Sequence, residues 1–374
     1  MTALGQHFWY LMALTLGLSA GTAWLLIPLA DKVGWVDHPG ERKVHESKTP
    51  TVGGAAILCA LIAGIALACL SGQLPGFASE PLFLPLLAGG LVLFFTGLLD
   101  DLRGLSVLLR LILQSSVCLG IIHFSGVQLL DFGRLFSNDL LELHSLAVPL
   151  TVFAALGVIN SFNLIDGMDG LAGAMFLIPA MGMIMLAAAV LQGAMISFLF
   201  ISVASVLGFM LLNARFPWNA RARIFLGNSG SFLLGLLLAW CFIRLGNGPD
   251  AAFMPMTAVW LFAIPLLDTS TLIWRRWREG RSAFAADQNH LHHAFLRAGY
   301  SVGEAWLAMT ILAAAMAGLG FIFEFTPIPE CVSFYAFIAL GFTYHFYMKH
   351  CWASQRFLGR HFIHHDFTIE EGYA

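Results

Sequence analysis

The chain has 374 residues, of which 59% are hydrophobic and only 11% are charged, and its formal net charge is −3. Soluble globular proteins carry about 25% charged residues, so this composition excludes a soluble domain and indicates a polytopic membrane protein. The six cysteines are isolated in the sequence and form neither a disulfide framework nor a metal-ligand spacing. We expect no nucleic-acid partner.

Apolar segments follow one another along the whole chain, and eleven of them have the length of a membrane span or close to it. They lie near residues 8–30, 52–71, 82–100, 106–125, 146–163, 171–191, 194–213, 224–245, 252–275, 302–325 and 332–349. The sequence therefore predicts an all-α integral membrane protein with about eleven transmembrane helices. We assign residues 1–350 to a single polytopic domain and residues 351–374 to a tail.

The distribution of basic residues predicts how the chain is oriented in the membrane. If the segments alternate in direction, 17 of the 19 Lys and Arg residues lie on one side, and only Arg134 and Arg244 lie on the other. The positive-inside rule makes the basic side cytoplasmic. This predicts a periplasmic N-terminus and a cytoplasmic C-terminus in a bacterial inner membrane.

Acidic residues stand where predicted spans end on the basic side. Asp100 and Asp101 end the third segment, Asp166 and Asp169 follow the fifth, and Asp268 lies near the end of the ninth. A single carboxylate at a helix end is usually a solvated cap, but acids at a membrane edge are functional candidates. Carboxylates without paired Cys or His suit Mg²⁺, or Mn²⁺ as an alternative. With nearby cations, they predict a cytoplasmic diphosphate site for phosphoryl transfer.

The loop before the second segment, DHPGERKVHESKTPTVGG, concentrates basic residues at Arg42, Lys43, His45 and Lys48. Basic residues next to a span are most often topology signals. In the functional interpretation, they form a cationic lip for a phosphate headgroup.

A histidine-rich loop follows the ninth segment and contains His290, His292 and His293. These side chains could bind a metal or donate hydrogen bonds to phosphate and sugar oxygens. We favour the second role, because His290 and His293 would share one face if the segment is helical. The Gly/Ser stretch RARIFLGNSGSFLLG at 221–235 could cradle a phosphate, although such a stretch alone is weak evidence.

Taken together, these motifs resemble one known family. In chain order they are RKVHESKTPTVGG, GLLDD, NSFNLIDGMDGLAG, IFLGNSGS, PLLDTSTLIWRR and DQNHLHHAFLRAG. They are similar to the motifs of the polyprenyl-phosphate N-acetylhexosamine-1-phosphate transferases, glycosyltransferase family 4, from about residue 25 to residue 300. The DQNHLHH form is more similar to the WecA branch of this family than to the MraY branch.

The resemblance implies a reaction in which a membrane polyprenyl phosphate attacks the β-phosphorus of a UDP-N-acetylhexosamine and UMP leaves. N-acetylglucosamine is the sugar we expect, and the product would start a lipid-linked surface glycan such as O-antigen. The alternatives are an MraY-type transfer of phospho-MurNAc-pentapeptide, a membrane transporter and a catalytically silent paralogue. The oligomeric state is left open, with a homodimer as one candidate.

The resemblance also implies roles for individual residues. The catalytic residues would be Asp100, Asp101 and Asp166, and the metal ligands would be Asp100, Asp101 and Asn228. Substrate-binding residues would be Arg42, Lys43, His45, Lys48, Asn163, Asp169, Phe225, Asp268, His290, His292 and His293. Within this set, the aromatic ring of Phe225 would stack on the uracil base, and the three histidines would contact the sugar and the diphosphate.

One position departs from the family pattern. The family carries Asp in the sequence G-D-x-G-S, where that Asp is a Mg²⁺ ligand, and this chain carries Asn228. An amide keeps a carbonyl oxygen but lacks the negative charge, so we expect weaker Mg²⁺ binding unless another acid compensates. The chain could be an active natural variant, a silent paralogue or an engineered form. We favour the active variant, because the other motifs are intact.

Overall fold

The computed structural model describes residues 3–37, 48–72, 74, 77, 80–136, 139–190, 192–282 and 289–363. The helices in this part of the chain are α1 (Ala3–Val33), α2 (Gly53–Leu70), α3 (Phe83–Arg103), α4 (Val107–Ser125), α5 (Ala147–Ile165), α6 (Leu171–Ala189), α7 (Gly193–Asn213), α8 (Gly227–Leu245), α9 (Pro255–Leu261), α10 (Ala263–Arg278), α11 (Leu291–Arg297), α12 (Val302–Phe325) and α13 (Glu330–Ser354). Two antiparallel hairpins pair β1 (Val36–Asp37) with β2 (Thr49–Pro50) and β3 (Arg356–Phe357) with β4 (Arg360–His361).

The helix lengths confirm the predicted all-α membrane fold. Within the described residues, ten helices are long and apolar enough to cross a bilayer, and the number is eleven if α9 and α10 together form one span. The last helix, α13, continues to Ser354, past the predicted end of the polytopic domain at residue 350.

The ninth predicted span, residues 252–275, is not the continuous helix that the sequence predicted. Helices α9 and α10 meet at an angle of 83°, and the residue between them, Phe262, has a non-helical ψ of 21°. Pro265 lies three residues beyond the break and has no backbone N–H to donate to the carbonyl of Leu261. The bend therefore has a local cause in the sequence.

Helix α8 is the centre of the bundle. Most of its length is buried against other helices, and it packs against α3, α5 and α2. A helix that is apolar on all sides is expected in the interior of a large bundle, because no face of it needs water.

Glycines bring the start of α8 unusually close to two neighbouring helices. A Cβ atom on Gly97 of α3 would lie 2.4 Å from the backbone carbonyl carbon and oxygen of Asn228. A Cβ atom on Gly54 of α2 would lie 2.4 Å from the backbone nitrogen of Gly230. Small residues permit such backbone approach between membrane helices. The approach sets the last turn of α3, which carries Asp100, beside the first turn of α8.

Several loops meet at this end of the bundle, which we call the polar face. The β2 segment is joined to the start of α8 by a hydrogen bond of 2.7 Å from Phe225 N–H to the carbonyl of Pro50. The α5–α6 loop is joined to the α7–α8 loop by an ion pair between Asp169 and Arg215. Sequence motifs that are far apart in the chain are therefore adjacent here.

We expect Gly97→Ala to lower the stability of the folded protein by about 1–3 kcal/mol, because the added methyl group meets backbone rather than a movable side chain. The matched control is Gly120→Ala in α4, where an added Cβ meets no atom within 4 Å. Thermal unfolding in detergent measures both variants. Equal unfolding temperatures for the two would contradict the close packing of α3 on α8.

Candidate functional site

A cavity of about 640 Å³ opens at the polar face. Eight of the residues predicted from the sequence line it: Asp101, Asn163, Asp166, Asp169, Phe225, Asn228, His292 and His293. They come from four separate parts of the chain. The volume is within the range of about 300–1,000 Å³ that is usual for small-molecule sites.

Asp101 is in the last turn of α3 and is held by the N-terminus of α8. Its Oδ1 atom accepts the backbone N–H of Asn228 at 2.9 Å, and its Oδ2 atom accepts that of Ser229 at 3.3 Å. The first N–H groups of a helix have no partner within the helix, and they carry partial positive charge. Asp101 therefore satisfies the start of α8 while one side of its carboxylate faces the cavity.

Asp100 is buried behind the cavity wall, with 8% of its surface exposed, and it does not line the cavity. Its Oδ2 atom accepts hydrogen bonds of 2.9 Å from Arg110 Nη1 and from the Asn228 side-chain amide. Its Oδ1 atom accepts the backbone N–H of Leu105 at 2.7 Å. This carboxylate joins α3, α4 and α8, so its geometry is that of a positioning group.

Both the nitrogen and the oxygen of the Asn228 side-chain amide form hydrogen bonds. Its Nδ2 atom donates to Asp100, and its Oδ1 atom accepts a hydrogen bond of 2.7 Å from Asn163 Nδ2. Asn163 also donates to the hydroxyl of Ser231 at 2.8 Å. An aspartate in the same rotamer at position 228 would hold a carboxylate oxygen 2.9 Å from the carboxylate of Asp100. Asparagine is thus the residue that suits this site when no cation is bound.

Asp166 follows α5 and differs from the other acids, because its carboxylate has no hydrogen-bond partner within the described part of the chain. Burial raises the pKa of Asp166 to about 7, and the nearby negative charges of Asp101 and Asp169 add to the effect. An uncompensated carboxylate beside two others is the arrangement that a bound cation would relieve.

The donor set at this point fits Mg²⁺. Asp101 and Asp166 offer carboxylate oxygens to the cavity, and Asn228 offers the second lone pair of its amide oxygen, which also accepts the hydrogen bond from Asn163. Mg²⁺ prefers oxygen ligands, and it usually takes one or two protein carboxylates together with substrate phosphates and water. Within the described ranges, no group of three acidic, imidazole or thiol side chains is placed to hold an ion.

Asp169 lines the other side of the cavity and is paired through one of its carboxylate oxygens. Its Oδ2 atom accepts a hydrogen bond of 2.8 Å from Arg215 Nε and one of 3.1 Å from the backbone N–H of Ala222. These bonds fix the α5–α6 loop to the α7–α8 loop, which also carries Phe225. The cavity wall there has a defined shape.

The three histidines have two different positions. His292 and His293 belong to α11 and line the cavity. His290 precedes that helix, with an extended ψ of 159°, so the predicted shared helical face of His290 and His293 is wrong. The Nδ1 atom of His290 lies 2.7 Å from Oδ2 of Asp268, and both residues are buried behind the wall.

His292 packs tightly against the α5–α6 loop. A Cβ atom on Gly167 would overlap its Nε2 atom, so any larger residue at that position would require the imidazole of His292 to move. Burial lowers the pKa of His292 well below its usual value, and the neighbouring imidazoles of His293 and His290 act in the same direction. The imidazole of His292 is therefore neutral, and it offers hydrogen bonds rather than charge.

The basic loop before α2 is only partly described. Arg42, Lys43 and His45 lie outside the described residues. Lys48 does not line the main cavity and instead lines an adjoining cavity of about 450 Å³ together with Arg221. Arg221 lines both cavities.

Some residues at the site have no counterpart in the sequence prediction. Arg110 and Arg215 form ion pairs with Asp100 and Asp169, both with N–O distances within 3 Å, and Asp37 lines the cavity. The two arginines were interpreted only as topology signals. A search for a cation near each acidic motif could have found Arg110, which follows Asp100 by only ten residues, but not Arg215, which is 46 residues from Asp169.

Comparisons with known proteins give relatives over most of this chain. Residues 83–246 match the model of Glycosyl transferase family 4. Three similar proteins are each named undecaprenyl-phosphate alpha-N-acetylglucosaminyl 1-phosphate transferase, and each aligns with 89% of this chain. The protein of Escherichia coli (strain K12) is 33% identical and is covered over 88% of its length, and that of Yersinia pestis is 34% identical and is covered over 89%. The protein of Haemophilus influenzae is 32% identical and is covered over 92% of its length. With one third of its residues shared over nearly the full length of such relatives, the chain belongs to glycosyl transferase family 4 and, within it, to the polyprenyl-phosphate N-acetylhexosamine-1-phosphate transferases.

Proposed function

We propose that this chain transfers N-acetylglucosamine 1-phosphate from UDP-N-acetylglucosamine to undecaprenyl phosphate and releases UMP. The observation that carries the proposal is the cavity at the polar face, where Asp101, Asp166 and His292 meet at the end of an apolar bundle. A site at this boundary can receive a lipid phosphate from the membrane and a nucleotide sugar from water. The relatives reported above are named for this transfer.

The polar face is the cytoplasmic face in this proposal, and the membrane is the bacterial inner membrane. The support is the placement of 17 of the 19 basic residues on that side of the predicted spans. UDP-sugars are cytoplasmic donors, so the donor and the site would share a compartment. The product would start a lipid-linked surface glycan such as O-antigen.

The reaction exchanges one phosphate–oxygen bond for another. An oxygen of the lipid phosphate bonds to the β-phosphorus of the donor, and the bond from that phosphorus to the bridging oxygen breaks. UMP leaves with the bridging oxygen and the electron pair. The second pKa of a phosphate monoester is about 6, so the lipid phosphate is largely a dianion at neutral pH and can attack without a protein base.

The nucleotide would lie toward the α7–α8 loop. The ring of Phe225 lines the cavity there, and aromatic rings stack on nucleobases. The ion pair of Asp169 with Arg215 holds the neighbouring loop in place. In this arrangement Asp169 shapes the pocket for the base.

The diphosphate and the sugar would lie toward α11. His292 and His293 line that side of the cavity. An imidazole N–H that faces the cavity can donate a hydrogen bond to an oxygen of the diphosphate or the sugar.

Mg²⁺ would be held by Asp101 and Asp166, with Asn228 supplying an amide oxygen. When bound, the ion would neutralise negative charge that develops on the phosphate oxygens during transfer. Asp166 would take the place of the acid that is absent at position 228. Asp100 would keep Asn228 in position without touching the substrate. Mn²⁺ satisfies the same oxygen ligands and is the alternative ion.

Transport is the alternative from a different class, and the positions of the acids argue against it. Transporter sites usually lie near the bilayer midplane at broken helices. Asp101 is two residues from the end of α3 and Asp166 directly follows α5, so both are at the edge of the bundle. The broken pair α9–α10 contributes Asp268, which is paired with His290 and does not line the cavity.

The proposal is tested by measuring UMP release from UDP-N-acetylglucosamine by the purified protein with Mg²⁺, with and without undecaprenyl phosphate. We expect release only when the lipid is present, and a loss of at least about 100-fold in Asp101→Asn, because the carboxylate charge is removed at the reacting phosphates. UDP-MurNAc-pentapeptide as the donor distinguishes the MraY-type reaction. Absence of lipid-dependent UMP release with either donor would contradict the proposal.

Phe225→Leu should raise the KM for the UDP-sugar about tenfold with a smaller change in kcat, because base stacking on an aromatic ring is worth about 1–3 kcal/mol. Phe216→Leu is the matched control, since Phe216 stacks on Trp218 and does not line the cavity. Steady-state kinetics with varied UDP-N-acetylglucosamine measures both. An unchanged KM in Phe225→Leu would remove Phe225 from the nucleotide site.

Asp166→Asn should raise the unfolding temperature in the absence of divalent cations by about 2–4 °C, as expected if about 1 kcal/mol of charge repulsion is relieved. Added Mg²⁺ should raise the unfolding temperature of the unaltered protein but not that of Asp166→Asn, because a ligand stabilises the state to which it binds.

The control for this prediction is Asp169→Asn, which loses an ion pair with Arg215 and should unfold at a lower temperature. Thermal unfolding with and without Mg²⁺ measures all three proteins and needs no activity. If Mg²⁺ stabilised Asp166→Asn as much as the unaltered protein, Asp166 would not be a ligand of the ion.

A further inference from the structure

We propose that the segment 344–363, which comprises the end of α13 and the β3–β4 hairpin, is a clamp that positions α11 and its two cavity histidines. We call it the C-terminal clamp. Tyr344 and Phe357 are its two principal positioning residues. The consequence for activity rests on the proposed function, and the consequence for structure does not.

The first contact of the C-terminal clamp is with the residues at the start of α11. Tyr344 of α13 donates a hydrogen bond of 2.7 Å to Oδ1 of Asp268. The same carboxylate accepts the backbone N–H of Leu291 at 3.0 Å and contacts Nδ1 of His290 at 2.7 Å. One buried acid of α10 thus joins the start of α11 to α13.

This carboxylate requires all of its donors. Asp268 is only 2% exposed, and a buried acceptor is costly when a donor is lost. Because Asp268 accepts at Nδ1 of His290, that nitrogen carries the proton, which fixes the ring orientation. The ring of His290 is stacked on that of His292, with centroids 5.5 Å apart. The orientation of His290 therefore constrains the ring of His292, which lines the cavity.

The second contact of the C-terminal clamp is with the C-terminal half of α11. The ring of Phe357 packs edge-on against that of Phe295, with centroids 4.7 Å apart. The backbone N–H of Ile363 donates to the carbonyl of Arg297 at 2.7 Å. Phe357 is buried although its hairpin is otherwise mainly exposed. The hairpin therefore packs on α11 through specific contacts.

Two contacts between charged and aromatic groups reinforce this end. The guanidinium of Arg360 lies 4.1 Å from the ring centroid of Tyr300, and that of Arg297 lies 5.1 Å from the ring centroid of Trp352. Both distances are within the range for cation–π attraction. They tie the clamp to α11 and to the turn that follows it.

Helix α11 needs such support because it has only seven residues. A helix of two turns is not stable by its own hydrogen bonds, and its position is set by packing. The C-terminal clamp contacts α11 and its start at Leu291, Phe295 and Arg297 through Asp268, Phe357 and Ile363, and His292 and His293 of the same helix line the cavity. The clamp therefore determines where these two imidazoles are presented to substrate.

The test compares Tyr344→Phe and Phe357→Leu with the control Tyr335→Phe, a residue of α13 that is 56% exposed and far from α11 in the helix. Hydrogen exchange measured by mass spectrometry reports the local stability of residues 289–297 in each protein. We expect exchange in this segment to be about tenfold faster in both clamp variants, with the rest of the chain unchanged. We expect the control to match the unaltered protein.

The kinetic readout separates positioning from general stability. We expect kcat for UMP release to fall about tenfold in both clamp variants, as for other residues that orient a functional imidazole. The KM for undecaprenyl phosphate should stay close to that of the control. Unchanged exchange in residues 289–297, or an unchanged kcat alongside faster exchange, would overturn the proposal. If the unaltered protein released no UMP, the proposed function would fail, and hydrogen exchange alone would decide whether the clamp exists.

Discussion

The contact between the end of α3 and the start of α8 is the constraint on which the rest of the site depends. Asp101 accepts the first N–H groups of α8, and Gly97 lets the two backbones approach closely enough for these hydrogen bonds to form. The helix end gains partners for its free donors, and the carboxylate gains a fixed position at the edge of an apolar bundle. The α5 residue Asn163 is then held by the side chain of Asn228, so the cavity is assembled around this junction.

The described acids at the polar face differ in how their charge is compensated. Asp100 and Asp169 each have an arginine within 3 Å, and they hold the structure together. Asp166 has no such partner, and its pKa is raised to about 7 mainly by burial. This distribution of charge gives the cavity a rigid frame and one point of unbalanced negative potential. A cation and a substrate with several negative charges can together balance such a site.

Much of the fold and most of the site residues could be predicted from the sequence, because hydropathy reports spans and motifs report chemistry. The hydrogen bond from the side-chain amide of Asn228 to Asp100 could not, since it joins residues 128 positions apart. The break at Phe262 was missed because the segment is apolar throughout, although Pro265 was a local signal. The contact of Tyr344 with Asp268 follows no motif, because it depends on how α13 packs.

In the proposed mechanism, this cavity is a transferase centre in which Asn228 is tolerated because Asp166 supplies the missing charge. The most direct measurement is a Mg²⁺ titration of lipid-dependent UMP release by the unaltered protein and by Asn228→Asp. We predict turnover in both, with half-saturation at a lower Mg²⁺ concentration in Asn228→Asp, because a further carboxylate strengthens the ion site. If the unaltered protein were silent at every Mg²⁺ concentration and Asn228→Asp were active, the account would be contradicted, and position 228 would have switched the enzyme off.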